Sequence, residues 1–341
     1  TVGLARDTVG QRVTGLVNAV GRRIAAHDLQ EWVELLSEGL DETDRLAIRT
    51  HHPRWIVAAY EKVLQENEVA QALEANNLAP RPTLVMRPGL AEVEELAPAI
   101  PTVYSPFGAV LDGAPGDLAA VKEGRAGVQD EGSQLVCLAL TRVEAPSGPW
   151  LDLCAGPGGK SALLAGLARQ RGEHLVANEV AAHRAKLVEQ ALAVYPPGTA
   201  SVICSDGCDP EPVRRHAPFA RIMVDAPCSG LGALRRRPEA RWRRTPADLA
   251  ELVSLQRALL ETAIGLLVPG GVVAYVTCSP HADETAAIVE AALKNNPHLE
   301  LLDAAALLPE VPGAARGGYV QLWPHRHGTD AMFLALLRGT S

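Results

Sequence analysis

LDLCAGPGGKS, residues Leu151–Ser161, is the stretch that decides the fold. With Trp150 before it, it reads as a strand ("WLDLC"), a glycine-rich turn and the opening of a helix over Ser161–Gln170. Its end, Gly159-Lys160-Ser161, fits the phosphate-binding pattern G-x-x-x-x-G-K-[ST]. Asp225, closing "RIMVD", fits the strand-end acid that holds Mg²⁺ in such ATPases. Two features oppose a triphosphate. Cys154 stands where the first glycine is required, and Pro157 has no N–H to offer a phosphate oxygen.

Two further acids point to a different ligand. Glu179 ends the next strand, 20 residues after Gly159, where dinucleotide-type folds bind ribose hydroxyls. Asp206 lies just past the third strand, placed to meet an adenine amino group. A glycine loop, a ribose acid and an adenine acid after successive strands describe an adenosine ligand. "GPGG" is not the G-x-G-x-x-G of NAD sites. S-adenosylmethionine fits better, with its carboxylate on the N–H groups of the loop and helix start. The cofactor set expected is Cys154, Ala155, Gly156, Pro157, Gly158, Gly159, Lys160, Glu179, Arg184, Asp206 and Asp225.

Outward from the loop, strands and helices alternate. Strands are expected at 174–179, 200–204, 221–226 and 272–277, and helices at about 181–195, 246–268 and 284–295. The start of the long helix is marked by Thr245 as N-cap, Pro246 at the first position and Asp248 three after the cap. Late strands fit "LELLDA" and "MFLALL". Such alternation predicts an α/β, doubly wound, mostly parallel sheet, whose ligands sit at the carboxyl ends of the strands.

Upstream, residues 1–75 place apolar residues at helical spacing. Residues 76–145 mix strand-like runs ("TLVM", "TVYS", "AVL") with a helical piece near Ala91–Leu96, which suits a small α/β module. "EAPSGP" (144–149) reads as the linker into a larger domain over 146–341. The chain opens in helical sequence without a Met, which suggests a fragment or a processed chain.

The most apolar run, Ala263–Val276, is broken by Pro269-Gly270-Gly271, so no membrane span is expected. Six cysteines form no C-x-x-C pair, and neither a metal site nor a disulfide framework is expected. Free thiols suggest a reducing cytoplasm. Net charge is −8, all of it from residues 1–145; residues 146–341 carry 19 basic and 19 acidic side chains. Within them "RRRPEARWRR", Arg235–Arg244, has six arginines, a local patch suited to phosphate contact despite the acidic total. Trp242 within it is expected to pack rather than stack on a base. His51-His52 and His325/His327 lack nearby acidic or thiol partners in the sequence and read as surface or packing residues.

Cys228, in "VDAPCSGLG", lies three residues past the end of the fourth strand, and Cys278, in "YVTCSP", just past the fifth. Both therefore face the ligand edge. Cys137 and Cys154 read as inert core thiols, Cys204 as a strand-end packing residue, and Cys208 is ambiguous.

"LDLCAGPGGKS", "DAPCSG" and "TCSP" together resemble the motifs of the NOL1/NOP2/Sun family of RNA 5-methylcytosine methyltransferases. "GRAGVQDEGSQL" (124–135) and "RRRPEARWRRTPADL" are similar to further family segments, and the resemblance covers about residues 80–341. "GLVNAVGRRI" resembles the last helix of the NusB-like domain in the bacterial small-subunit ribosomal RNA methyltransferase B group. The resemblance implies a Rossmann-like class I methyltransferase domain, a small RRM-like module and an N-terminal helical remnant of a NusB-like domain. It implies S-adenosylmethionine as cofactor and RNA as partner, ribosomal RNA foremost; a monomer is expected. Two residues depart from the family pattern: Gly156 where alanine is usual and Glu179 where aspartate is usual.

The chemistry needs two thiols. Carbon 5 of cytosine is a poor nucleophile until a thiolate adds to carbon 6. The resemblance implies Cys278 as that nucleophile, Cys228 as the residue assisting release, Asp225 on the cytosine ring and Lys160 near base or cofactor. Spacing alone does not rank the cysteines, and DNA cytosine methyltransferases use the Pro-Cys position. A thiol with an ordinary pKa of about 8.5 is only a few per cent thiolate at neutral pH, so Cys278 is expected to be activated locally. The alternative reading is a non-catalytic RNA-binding ribosome-assembly factor on the same fold.

Overall fold

The computed structural model describes residues 1–340, which divide at Ala58/Ala59 into two compact units. Thr1–Ala58 is helical throughout. Its helix Leu29–Ser37 starts at a capping box, in which Asp28 accepts from the Glu31 N–H (2.9 Å) and Glu31 accepts from the Asp28 N–H (2.9 Å).

The second unit carries two sheets. The small one has strands β1 (Thr83–Met86), β2 (Ile100–Pro101), β3 (Gly108–Val110) and β4 (Ala126–Val128) in the order β2-β3-β1-β4, all antiparallel. A short helical turn follows β1 and another follows β3. The strand expected at "TVYS" is therefore shorter and earlier than its composition suggested. The piece near Ala91–Leu96 is a tight turn over Val93–Leu96. β4 falls in "GRAGVQD", where Gly124 and Gly127 had hidden it.

The large sheet contains β5 (Trp150–Asp152), β6 (Leu175–Asn178), β7 (Ala200–Ile203), β8 (Phe219–Asp225), β9 (Leu267–Thr277), β10 (Leu299–Leu302), β11 (Ala315–Arg316), β12 (Tyr319–Gln321) and β13 (Phe333–Gly339). Its order is β11-β12-β13-β9-β8-β5-β6-β7, with β10 pairing β13. β5 to β9 are parallel and β13 runs antiparallel beside β9. Strand order reverses between β5 and β8, which opens the ligand crevice of a doubly wound sheet there. Alternate residues feed two cores. Trp150, Val272, Ala274 and Val276 pack on one face, and Leu151, Leu153, Val273 and Tyr275 on the other.

The long helix starts where its cap signals place it, with the Asp248 carboxylate accepting from the Thr245 N–H (2.8 Å). It ends at Ile264, not Val268, because Gly265 caps it and Leu267 already pairs with Phe219 in the sheet. Pro269-Gly270-Gly271 then occupies an irregularity in the register, with Gly270 at φ +77°. The motif read as a helix stop is a bulge inside β9.

Tyr60 is fully buried in this second unit. Its hydroxyl donates to the Leu231 carbonyl (2.9 Å) and accepts from Asn76 Nδ2 (3.1 Å), and its ring meets Trp323 edge-on at 5.7 Å. Among the described residues no helix is long and apolar enough to cross a membrane.

Candidate active site

Four acids stand at or just beyond the carboxyl ends of neighbouring strands: Asp152 on β5, Glu179 after β6, Asp206 after β7 and Asp225 on β8. Asp152 is buried, and Ser161 Oγ donates to it at 2.6 Å. Burial pushes its carboxyl up to about 7 despite that bond. Glu179 is also buried. One of its oxygens accepts from the Gly156 N–H (2.9 Å), the other from the Ala181 N–H (3.0 Å). Arg184 lies 3.6 Å away and donates to the Gly156 carbonyl. Asp206 is exposed and accepts from the Cys208 N–H at 2.9 Å.

The glycine loop is shaped for close approach. Gly158 has φ +108°, and a side chain there would run into Ala191 at 2.8 Å. Gly159 opens the helix Gly159–Gln170, and Gln129 lies beside it. Gln129 is 7% exposed, yet neither its amide oxygen nor its amide nitrogen has a protein partner. A buried, unsatisfied amide at a helix N-terminus suits a ligand carrying both a carboxylate and an amine, as the methionine end of S-adenosylmethionine does. The residue types present fit that group. Gln129 was not among the sequence candidates, although it lies in the quoted "GVQDEG" segment; its unsatisfied state is visible only in three dimensions.

Across the crevice, Lys160 Nζ lies 2.8 Å from Asp225 Oδ2 and donates to Ser133 Oγ at 3.3 Å. Burial works against the ammonium, but the Asp225 carboxylate outweighs it and the lysine pKa rises. Lys160 is thus a counter-charge to an acid, not a clamp on a free phosphate. Cys228 and Cys278 bring their sulfurs within 3.4 Å. The Cys228 hydrogen bond pulls the Cys278 thiol below its ordinary range, against burial and Asp225 and with help from Lys160. The same bond, with burial, drives Cys228 well upward. The two thiols therefore titrate as one pair, with the Lys160 ammonium favouring charge at Cys278.

The other cysteines divide differently from their sequence reading in one case. Cys137 is buried and Cys154 half-buried with its thiol pushed well upward by burial, whereas Cys204 is exposed, its thiol reaching only the Val180 carbonyl (3.7 Å). The arginine segment also divides. Arg235 donates to Asp330 (3.0 Å) and Asp130 (2.5 Å), Arg236 donates to Asp330 (2.8 Å), and the buried Arg241 donates to Asn77 (2.7 Å). Arg237, Arg243 and Arg244 are exposed. Trp242 is 64% exposed, so the expected packing is not what it does. Asp330, fully buried beside the site, carried no sequence signal because its partners lie 95 and 200 residues away.

The sequence pattern of the 16S rRNA methyltransferase RsmB/F family matches residues 137–338. A Mycobacterium tuberculosis protein, Rv1407, whose name assigns it provisionally to the methyltransferases, is 50% identical over 95% of this chain and 72% of its own length. The ribosomal RNA small subunit methyltransferase B of Vibrio cholerae is 34% identical over 99% of this chain and 75% of its own. The solved structure of NSun6 from Pyrococcus horikoshii superimposes with a TM-score of 0.71 at 16% identity, covering 85% of this chain and 98% of that one, and so shares the fold. With the Rossmann-like sheet, the acids at its strand ends and the extent of these matches, the chain belongs to the 16S rRNA methyltransferase RsmB/F family.

Proposed function

We propose that this protein methylates carbon 5 of a cytosine in small-subunit ribosomal RNA through a covalent bond to Cys278. The observation that carries the proposal is the thiol pair, 3.4 Å apart beside the Asp225–Lys160 ion pair at the carboxyl ends of β8 and β9. S-adenosylmethionine is the methyl donor and, when bound, supplies an electrophilic sulfonium methyl group. The residues that would hold it are the loop Cys154–Gly159, Gln129 at the helix start, Glu179 with Arg184, and Asp206.

The chain's own groups do the rest. A cytosine must be unpaired or flipped out to reach such a crevice. Asp225 meets the cytosine ring, and the Lys160 ammonium against it offsets the charge that builds at nitrogen 3. Cys278, the lower-pKa thiol, adds as thiolate to carbon 6 and makes carbon 5 nucleophilic. Once carbon 5 carries the methyl group, a water molecule accepts its proton, the freed C–H electron pair re-forms the carbon 5–carbon 6 double bond, and the sulfur–carbon 6 electron pair returns to Cys278 Sγ. The Cys228 S–H donates a hydrogen bond to that departing thiolate. The exposed Arg237, Arg243 and Arg244 would meet RNA phosphates.

Naked small-subunit ribosomal RNA and S-adenosylmethionine test the proposal, with bisulfite mapping of the product. A new 5-methylcytosine is expected, and its absence refutes the substrate assignment. With single variants, Cys228→Ser is expected to accumulate a protein–RNA adduct and Cys278→Ser to form none. The opposite pattern would exchange the two roles.

A further inference from the structure

We propose that Glu284 is a positioning residue that ties the Cys228 loop to the Cys278 loop and sets the spacing of the two sulfurs. The inference rests on the reading of those thiols as the reacting pair.

Each of the two cysteines is followed by a serine, and both serines reach one carboxylate. Ser229 donates its N–H to Glu284 Oε1 (2.7 Å) and its hydroxyl to Oε2 (2.5 Å). Ser279 donates its hydroxyl to Oε2 (2.7 Å), and the two hydroxyl oxygens are 3.1 Å apart. Gln256, from the long helix, donates to both Oε1 (3.1 Å) and the Pro227 carbonyl, the residue before Cys228 (2.9 Å). Tyr275 on β9 donates to the Glu284 carbonyl (2.8 Å) and fixes its backbone. A second tie runs beside the first: the Gly232 N–H donates to the Cys278 carbonyl (2.9 Å).

Glu284 is completely buried. Its four donors are all neutral, and among the described residues it has no lysine or arginine partner. A buried carboxylate satisfied only by neutral groups is a costly way to fill space. What it supplies that an apolar side chain could not is acceptor capacity for both loops at once. Removing it frees Ser229 and Ser279 to separate, and the sulfurs one residue away separate with them.

The test reads sulfur spacing directly. Phenylarsine oxide forms two As–S bonds to two thiols and releases one water, so it binds tightly only where one arsenic reaches both sulfurs. On the full chain, wild type is expected to bind one equivalent that is lost in Cys228→Ser. Glu284→Gln keeps the shape but turns an amide NH₂ toward donors. It is expected to bind the arsenical about tenfold or more weakly and to lose about tenfold or more in kcat on small-subunit ribosomal RNA, as misplaced reacting groups do. Its affinity for S-adenosylmethionine is expected to stay within about twofold, since that ligand's candidate residues lie on other loops apart from Asp225, which the end of β8 holds in the sheet. Arsenical affinity unchanged in folded Glu284→Gln overturns the proposal. If that variant does not fold, Ser229→Ala/Ser279→Ala is held to the same thresholds. Weakened arsenical binding with kcat unchanged supports the tie but refutes the thiols as the reacting pair, which separates the two failures.

Discussion

Gly156 and Glu179 are coupled by contact, and replacing Gly156 with alanine exposes the coupling. The backbone at Gly156 is not left-handed, so alanine is conformationally acceptable there. Space is what is lacking: a Cβ would stand 2.2 Å from Glu179 Oε2 and 2.7 Å from Arg184 Nε. The carboxylate must retreat by about 1 Å to restore van der Waals contact. That breaks its 2.9 Å bond from the Gly156 N–H. A hydrogen bond to a charged group contributes about 1.5–3 kcal/mol. If Glu179 holds the cofactor's ribose, affinity for S-adenosylmethionine drops roughly 10- to 150-fold, at about 1.4 kcal/mol per tenfold. Glu179→Asp in the same chain withdraws the carboxylate by one methylene and makes room for the methyl group. Gly156→Ala/Glu179→Asp should therefore recover most of the loss, with a coupling energy of about 1–2 kcal/mol. Titration calorimetry of S-adenosylmethionine into the four proteins of the cycle measures it. Wild-type affinity in Gly156→Ala, or strictly additive effects, refutes the reasoning. The two departures from the resembled family's pattern are then one, because the longer acid occupies the place of the missing methyl.

Three other outcomes follow from the geometry. Burial raises the Asp152 pKa from 3.8 to about 7, so between those values the folded protein holds a proton that the unfolded chain has lost. This acid therefore lowers stability as pH rises through that window and adds no slope above it; urea midpoints of wild type minus Asp152→Asn should show that slope, and parallel profiles would contradict it. Asp330→Asn removes a fully buried carboxylate from the half-buried Arg235 and should cost about 3–5 kcal/mol by urea denaturation, whereas a change under about 1 kcal/mol would mean the network is relaxed. The triple variant of Arg237, Arg243 and Arg244 to alanine should lower the slope of log K against log salt for RNA by up to about 2, leaving S-adenosylmethionine affinity alone; an unchanged slope would remove these residues from the RNA-binding surface.

Local signals carried well wherever the physics is local. The alternation around "LDLCAGPGGKS" placed β5, β6 and β8 and the acids at their ends, because period-2 burial and glycine turns are written in neighbouring residues. Thr245-Pro246 and Asp248 marked a helix start that the capping bond repeats. The signals misled where a distant partner decides. Pro269-Gly270-Gly271 looks like a helix stop, yet Phe219 pulls Leu267 into the sheet and the glycines become a bulge. Arg235, Arg236 and Arg241 read as part of a basic face, yet Asp130, Asp330, Asn76 and Asn77, brought in from remote segments, engage them. Glu284 carried no signal at all, since nothing in "HADETAA" announces that two serines following two cysteines converge on it.

Tyr60 carries a consequence for how such a protein can be assembled from parts. Judged by composition, the helical region and the sheet-forming region look like exchangeable cassettes. The Tyr60 hydroxyl nevertheless closes the turn at Leu231, three residues beyond Cys228, and its ring fills the space against Trp323. A recombination joint placed between Tyr60 and β1 would transplant the sheet-forming region without its own doorstop, leaving an open socket behind the Cys228 turn. Inheritance of the residues from 59 onward as one block is what this packing demands, and a chimera that crosses it must bring a tyrosine of its own.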